Sequence, residues 1–431
     1  MTTATHSPEL VVTEGKSFWE GFKESPIYET LALADFRWVW LGSLASFMAM
    51  NMDMLDRGWL VLRLSNDSPS ALTWVMVSMA LPMTVMSLVG GALADRFTKK
   101  YLIIVSQLVT AGVCFVVAIL DATGAVWLGA LMVTGFLNGC MMAINMPARQ
   151  SIVSEIVPPG RIMNAIALNN TTMNMTRGLG PAVGGIMIAF LDTSGVFYVI
   201  ALLYVFSALS MIPIKTATAN NTATANNTGP RKSVTRDIRE GLSYVIGDPV
   251  LRGMAIMALI PSLFGYTILV LMPAWGREVL NVSSYDLGYL MSFTGLGAVL
   301  GTLALASLRS MSRKGWALLT LSSLWGISVV GLATSIGFIM AIFFLFAFEL
   351  LSAIYMSLNM SISQMYAEPE KRGRVMSIFM MSWGLMPLSA LPFGEMAEFI
   401  GTPQTLVIAG LMLTILTIVF GIIYPRFRQM D

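Results

Sequence analysis

A chain of 431 residues with 56% apolar and only 12% charged residues, and a mean hydropathy of +0.73, is too apolar for a soluble multidomain protein. Its net charge of +2 says little, and no nucleic-acid partner is expected. The one histidine, His6, lies in a polar tail, and Cys114 and Cys140 lie in apolar segments, which argues against a histidine proton relay, a disulfide or a metal site.

Residues 1–36 form a polar amino-terminal segment without a cleavable signal pattern. Apolar runs of about 20 residues then recur, each long enough to cross roughly 30 Å of hydrocarbon. They lie near 37–62, 71–94, 101–120, 125–146, 163–190, 196–214, 251–275, 287–308, 316–334, 338–360, 375–399 and 405–424, which predicts twelve transmembrane helices. A β-barrel would instead alternate in polarity over segments of about ten residues.

Helix one carries Asp53, Asp56 and Arg57. Helix two ends in GGALADRFTKK at 90–100, where small residues allow close backbone approach, Asp95 and Arg96 can pair with a neighbouring helix, and Lys99 and Lys100 are expected among anionic headgroups. Asn138 and Asn145 lie on helix four, and Asn170, Asn174 and Arg177 form one stripe on helix five. After helix six comes TATANNTATANNTGPRK, a repeat of small polar residues that reads as a linker. In the following segment, 233–248, Val234, Ile238, Leu242 and Val245 recur at helical spacing, as in a helix lying on the membrane surface. Helix ten carries Glu349 and Asn359, and helix eleven Glu395 and Glu398 near its outer end, where interfacial solvation explains them.

All but four of the 26 Lys and Arg fall on one side if the amino terminus is cytoplasmic, the exceptions being Arg57, Arg63, Arg177 and Arg277. Both termini are therefore expected inside. The domains are an amino-terminal segment 1–36, a six-helix half 37–214, a cytoplasmic linker 215–250, a second six-helix half 251–424 and a tail 425–431. Weak self-similarity supports two pseudo-repeats: GALAD at 91–95 falls on GTLAL at 301–305, and Arg161, Met163 and Asn164 fall on Arg374, Met376 and Ser377.

These residues resemble the major facilitator superfamily. Its GxLaDrxGrk signature stands here as GALADRFTKK, with Gly91, Asp95, Arg96, Lys99 and Lys100 in place and Thr98 at the second glycine. LALADFRWVWLGSLAS at 31–46, NMPARQSIVSEIVPPGRIMNAIALNN at 145–170 and RGLGPAVGGIMIA at 177–189 are similar to the branch containing enterobactin exporters. The last stretch also resembles the GxxxGPxxGG element of family antiporters at Gly180, Pro181, Gly184 and Gly185, with Thr176 at the first glycine. The resemblance implies an all-α membrane fold, helices one, four, seven and ten around a central cavity, and a gating role for Asp95, Arg96 and the 180–185 glycines.

Charged side chains inside a span cost about 2.5–3.5 kcal/mol each on insertion scales, so each needs a partner or a wet cavity. At about 1.5 Å per residue, Asp53 sits about 24 Å and Arg177 about 21 Å from the inner ends of their helices. One reading pairs Arg177 with Asp53 or Asp56 as a proton-linked switch. The other pairs Asp53 with Arg57 one turn away and leaves Arg177 structural. Glu349, set in FFLFAFELLSAIYM, suits reversible proton binding, an ion pair with a cationic substrate, or a hydrogen bond between helices. The asparagines either bind substrate or join helices. The 34 methionines suit a deformable ligand lining or simply fill packed and lipid-facing positions.

Gly15, Lys16 and Ser17 mimic the end of a phosphate loop, but Leu10 stands where its first glycine is required, so transport is expected to run on an ion gradient. No cofactor and no enzymatic activity are expected. The expected function is proton-coupled efflux of amphipathic or lipophilic small molecules by a monomer in the cell membrane, through alternating access around a midplane site. An uptake or lysophospholipid transporter of the same fold, or a non-transporting membrane sensor, stands as the alternative.

Overall fold

A computed structural model describes residues 26–214, 242–307, 313–368, 375, 389–428 and 430. The described chain is helical throughout. A short helix Pro26–Leu31 precedes α1 (Ala34–Ser65), α2 (Pro69–Arg96), α3 (Lys99–Ala122), α4 (Leu128–Ile156) and α5 (Ile162–Leu209). The second half comprises α6 (Pro249–Phe264), α7 (Thr267–Leu280), α8 (Ser284–Ser307), α9 (Lys314–Ala333), α10 (Phe338–Tyr366), α11 (389–400) and α12 (Thr402–Ile423).

Among the described residues, nine helical stretches are long and apolar enough to cross a membrane, α6 and α7 together forming one of them. In hydrocarbon every backbone polar group must be satisfied within its own segment, which is why each apolar run folds as a helix. The expected eleventh span is described only at 375 and from 389 on, so the count of twelve reaches beyond the described residues.

Two spans are built differently from simple rods. Within α5 the backbone breaks at Asp192, with φ 55° and ψ 175°. The chain reverses there: Thr172 meets Trp40 and Gly180 meets Asn51 on the way out, and Phe197 meets Arg57 and Ser207 meets Gly42 on the way back. α5 therefore holds the expected fifth and sixth spans. The expected seventh span is divided between α6 and α7, each of which contains a proline, Pro261 and Pro273. Gly265 lies at the bend, where a Cβ would come within 2.8 Å of both the Pro261 carbonyl oxygen and the Trp325 ring.

The halves meet along two glycine contacts. A Cβ on Gly178 would sit 2.8 Å from the Gly295 Cα, and one on Gly185 would sit 2.9 Å from the Gly288 Cα, so α5 and α8 pack backbone to backbone. Large apolar side chains point outward on α3 (Tyr101, Val105, Phe115), the return leg of α5 (Leu202, Phe206), α9 (Leu324, Ile327) and α12 (Ile415, Ile422), as expected of lipid-facing helices. Most of the linker, 215–241, lies outside the described residues. In the segment expected on the membrane surface, residues 242–247 are helical, and Val245 is buried in the core rather than facing lipid headgroups.

Candidate functional site

Polar groups inside the bundle gather in three places. The first lies within the amino-terminal half. Asp53 and Arg57, one turn apart on α1, form a buried ion pair at 3.0 Å. Asn138 on α4 donates to Asp53 Oδ2 at 3.2 Å, and Arg57 Nη1 donates to Thr134 Oγ1 at 3.2 Å and to the Leu131 carbonyl at 3.4 Å. The Arg57 guanidinium also stands 5.6 Å from the Phe197 ring centroid. A buried guanidinium needs this many acceptors because it cannot shed its charge. Asp56 is fully buried nearby, yet neither of its carboxyl oxygens has a hydrogen-bond partner among the described residues.

The second joins the halves. Arg177 on α5 lies 3.8 Å from Glu349 Oε2 on α10, with the Arg177 side chain 30% and the Glu349 side chain 1% exposed. Ser352 donates to the same Glu349 oxygen at 3.3 Å, and Glu349 Oε1 has no partner among the described residues. Aromatic rings back this carboxyl: Tyr266 packs edge-on against Phe348 at 6.2 Å and Trp325 at 5.0 Å. Arg177 therefore meets neither Asp53 nor Asp56, which corrects the reading that paired them. Helical rise fixed the depth of Arg177 but not the direction in which it points.

The third surrounds Arg149 on α4, which is 1% exposed. Its guanidinium donates to Ser43 Oγ at 2.9 Å, Ser207 Oγ at 2.9 Å and Asn145 Oδ1 at 3.3 Å. Asn145 in turn donates to Ser106 Oγ at 2.8 Å. No carboxylate pairs with Arg149 among the described residues. Counted on the cytoplasmic side with most of the other bases, Arg149 is an interior residue. Helix four was expected to end near 146, before Pro147, but α4 continues through that proline to Ile156 and carries Arg149 into the bundle. The signal that could have found it is its four-residue spacing from Asn145, which places both on one helix face.

The remaining candidates divide. Asn138 and Asn145 belong to the networks above and join helices, whereas Asn359 donates at 3.2 Å to the hydroxyl of Tyr355 on its own helix, which in turn donates to the Met257 carbonyl on α6. Asn170 is exposed and Asn174 half-buried, on the helix that carries Arg177. A Cβ on Gly180 would lie 2.5 Å from the Asn51 Cβ and one on Gly184 would lie 3.5 Å from the Met52 Cα, while the Pro181 carbonyl lies 2.5 Å from a Cβ built on Gly288. These residues press α5 against α1 and α8. The side chains of Asp95 and Arg96 and the surroundings of Gly91 lie outside the described residues, although α2 runs through all three. Lys99 pairs with Glu155, and Lys100 donates to the Ile212 and Ile214 carbonyls at 2.8 Å each. Both were expected among headgroups; in the structure they bind protein groups at the end of α4 and just beyond α5.

Glu395 and Glu398 are likewise more than solvated ends. Glu395 accepts from Ser70 Oγ at 2.6 Å and from Trp74 Nε1 at 2.9 Å, and Glu398 accepts from Ser68 Oγ at 2.7 Å. They tie α11 to the start of α2 across the two halves.

The family model described as transmembrane secretion effector matches residues 26–431. The chain is similar to the staphyloferrin A transporter of Staphylococcus aureus, at 24% identity over 353 residues covering 81% of this chain and 86% of that one. It is similar to the multidrug efflux pump Tap of Mycolicibacterium fortuitum, at 27% identity over 388 residues covering 86% and 91%. A bacterial homologue of the human lysosomal transporter Spinster, solved in an inward-facing and occupied conformation, shares the fold with a TM-score of 0.73 at 13% identity, covering 94% of this chain and 98% of that one. Buried charges, a helix bundle split into two packed halves and these likenesses converge: the chain belongs to the transmembrane secretion effector family of the major facilitator superfamily, and is a multi-pass membrane transporter of small molecules and not an enzyme.

Proposed function

We propose that the chain exports amphipathic or lipophilic small molecules in exchange for protons, by alternating access of a site between its halves. The observation that supports it is the Arg177 and Glu349 pair: one residue from each half, at 3.8 Å, with an enclosed carboxyl and a guanidinium that is 30% exposed. When Glu349 takes up a proton its attraction for Arg177 ends, and the restraint between the halves at that depth ends with it. A cationic group on a substrate can compete with Arg177 for the same carboxylate, whose Oε1 has no partner among the described residues. Proton and cation then exclude one another, which is the condition for exchange. Asn170 and Asn174 offer amide groups along the same helix for the polar end of a substrate.

In this reading the protein works as a monomer in the cell membrane, with both termini and the 215–250 linker cytoplasmic, as the distribution of Lys and Arg implies. The names of the relatives, a siderophore transporter and a drug pump, agree with export of such compounds. The test is reconstitution into liposomes with an imposed pH gradient and a panel of cationic dyes, siderophore-like chelates and lysolipids. Uptake of at least one dye or chelate that collapses when the gradient is dissipated is expected. Movement of the whole panel that ignores the gradient would refute proton exchange.

A further inference from the structure

Among the described residues, polar bridges between the halves occur at the depth of Arg177 and on the face of the bundle opposite the termini. On that face lies a cleft of about 660 Å³ lined from both halves by Trp59, Asp67, Ser68, Arg277, Glu398 and Gly401. Arg277, from α7, spans it. Its guanidinium stands 4.2 Å from the centroid of the Trp59 ring on α1 and forms an ion pair with Asp67 in the turn between α1 and α2. In that turn Asn66 and Asp67 take φ values of 54° and 64°, and both amides bond back to the Leu62 carbonyl, which ends α1 and presents Asp67 to the cleft.

We propose that Arg277 is a positioning residue of the transport cycle, the clamp that holds the two halves closed on the face opposite the termini. The proposal rests on the alternating-access reading above. The other polar contacts between the halves on this face, among the described residues, are hydrogen bonds that Glu395 and Glu398 accept from hydroxyls, one indole and one backbone amide, which water replaces readily: Ser68 Oγ and the Ser70 amide to Glu398, and Ser70 Oγ and Trp74 to Glu395. Arg277 supplies the one charge-to-charge contact between halves on this face among the described residues, and an aromatic ring covers its guanidinium. The neighbouring Glu278 is already engaged within its own half, accepting from the Thr402 amide at 3.0 Å, so it does not compete for Arg277. Thr73 and Gly394 show how closely this face is shut: a Cβ on Gly394 would fall 2.5 Å from the Thr73 Cγ2.

The test uses full-length protein in lipid nanodiscs. Cys114 and Cys140 are replaced by alanine, and spin labels are placed at Thr123→Cys and Thr334→Cys, which are exposed on this face in different halves. Pulsed electron resonance reads the distance between them in acidic and alkaline buffer. Arg277→Gln and Asp67→Asn should each raise the long-distance population about fivefold, the size expected for loss of a partly exposed ion pair. The double variant should add little, and the exchanged pair Asp67→Arg with Arg277→Asp should recover part of the short-distance population. If the wild type shows two populations and Arg277→Gln leaves them unchanged, the clamp is refuted even if that variant melts at a lower temperature. If the wild type shows one distance in every buffer, the alternating-access reading fails and takes the clamp with it.

Discussion

Replacing Glu349 by glutamine keeps the shape of the side chain and removes its charge. At 3.8 Å, two unit charges attract by about 4 kcal/mol at an effective dielectric of about 20. Most of that is offset by stripping water from Glu349, and the 30% exposure of Arg177 lets solvent screen the remainder. A net coupling of about 1–2 kcal/mol is left, between the value of an exposed pair and that of an enclosed one. A thermal-unfolding double-mutant cycle with Arg177→Gln should return this coupling. In liposomes, Glu349→Gln should abolish dye movement driven by a pH gradient and weaken equilibrium exchange of cationic dyes, while leaving equilibrium exchange of uncharged substrates in place. Full gradient-driven transport by Glu349→Gln, with unchanged pH dependence, would show that the pair only holds helices together.

The two acids of α1 should behave oppositely. Asp53→Asn strands the Arg57 guanidinium in the interior and should cost about 3–5 kcal/mol, seen as a large loss of thermal stability or of folded yield. Asp56→Asn removes a group that has no hydrogen-bond partner among the described residues, and its unfolding temperature should fall far less than that of Asp53→Asn. Gly178→Ala and Gly185→Ala each drive a methyl group into backbone atoms of α8 and should cost about 1–3 kcal/mol, whereas Gly112→Ala, with open space around it, should cost nothing measurable by the same melts. Arg149→Met fills similar volume without a buried charge. It should be less destabilising than Arg149→Ala, which leaves a cavity; in both variants Ser43 and Ser207 keep their bonds to the Val39 and Gly42 carbonyls.

Hydropathy exposed the helices because hydrocarbon allows the backbone few other forms, so the runs at 101–120, 316–334 and 405–424 correspond closely to α3, α9 and α12. Local pairing was legible too: Asp53 precedes Arg57 by one turn, the better order for an ion pair within a helix. Contacts between helices were not. Depth along a helix follows from counting residues, but direction around it depends on how the whole bundle packs, so Arg177 could be placed level with Asp53 and still face Glu349. Arg149 was misread because a proline usually ends a helix in water, whereas Pro147 lies inside a continuous α4. Glu395 and Glu398 passed for solvated ends because their partners, Ser68, Ser70 and Trp74, lie in the other half.

The glycine contacts between α5 and α8 have a mechanical meaning. Most helix pairs interlock side chains, so turning one against the other forces rotamers to change in step. At Gly178 against Gly295 and Gly185 against Gly288 nothing interlocks; bare backbone lies on bare backbone. Such a surface resists being pulled apart, because the close approach maximises dispersion contact, yet it offers no teeth against rotation. α5 and α8 thus form a smooth bearing between the halves, and friction in the machine falls to the charged and hydroxyl groups around it.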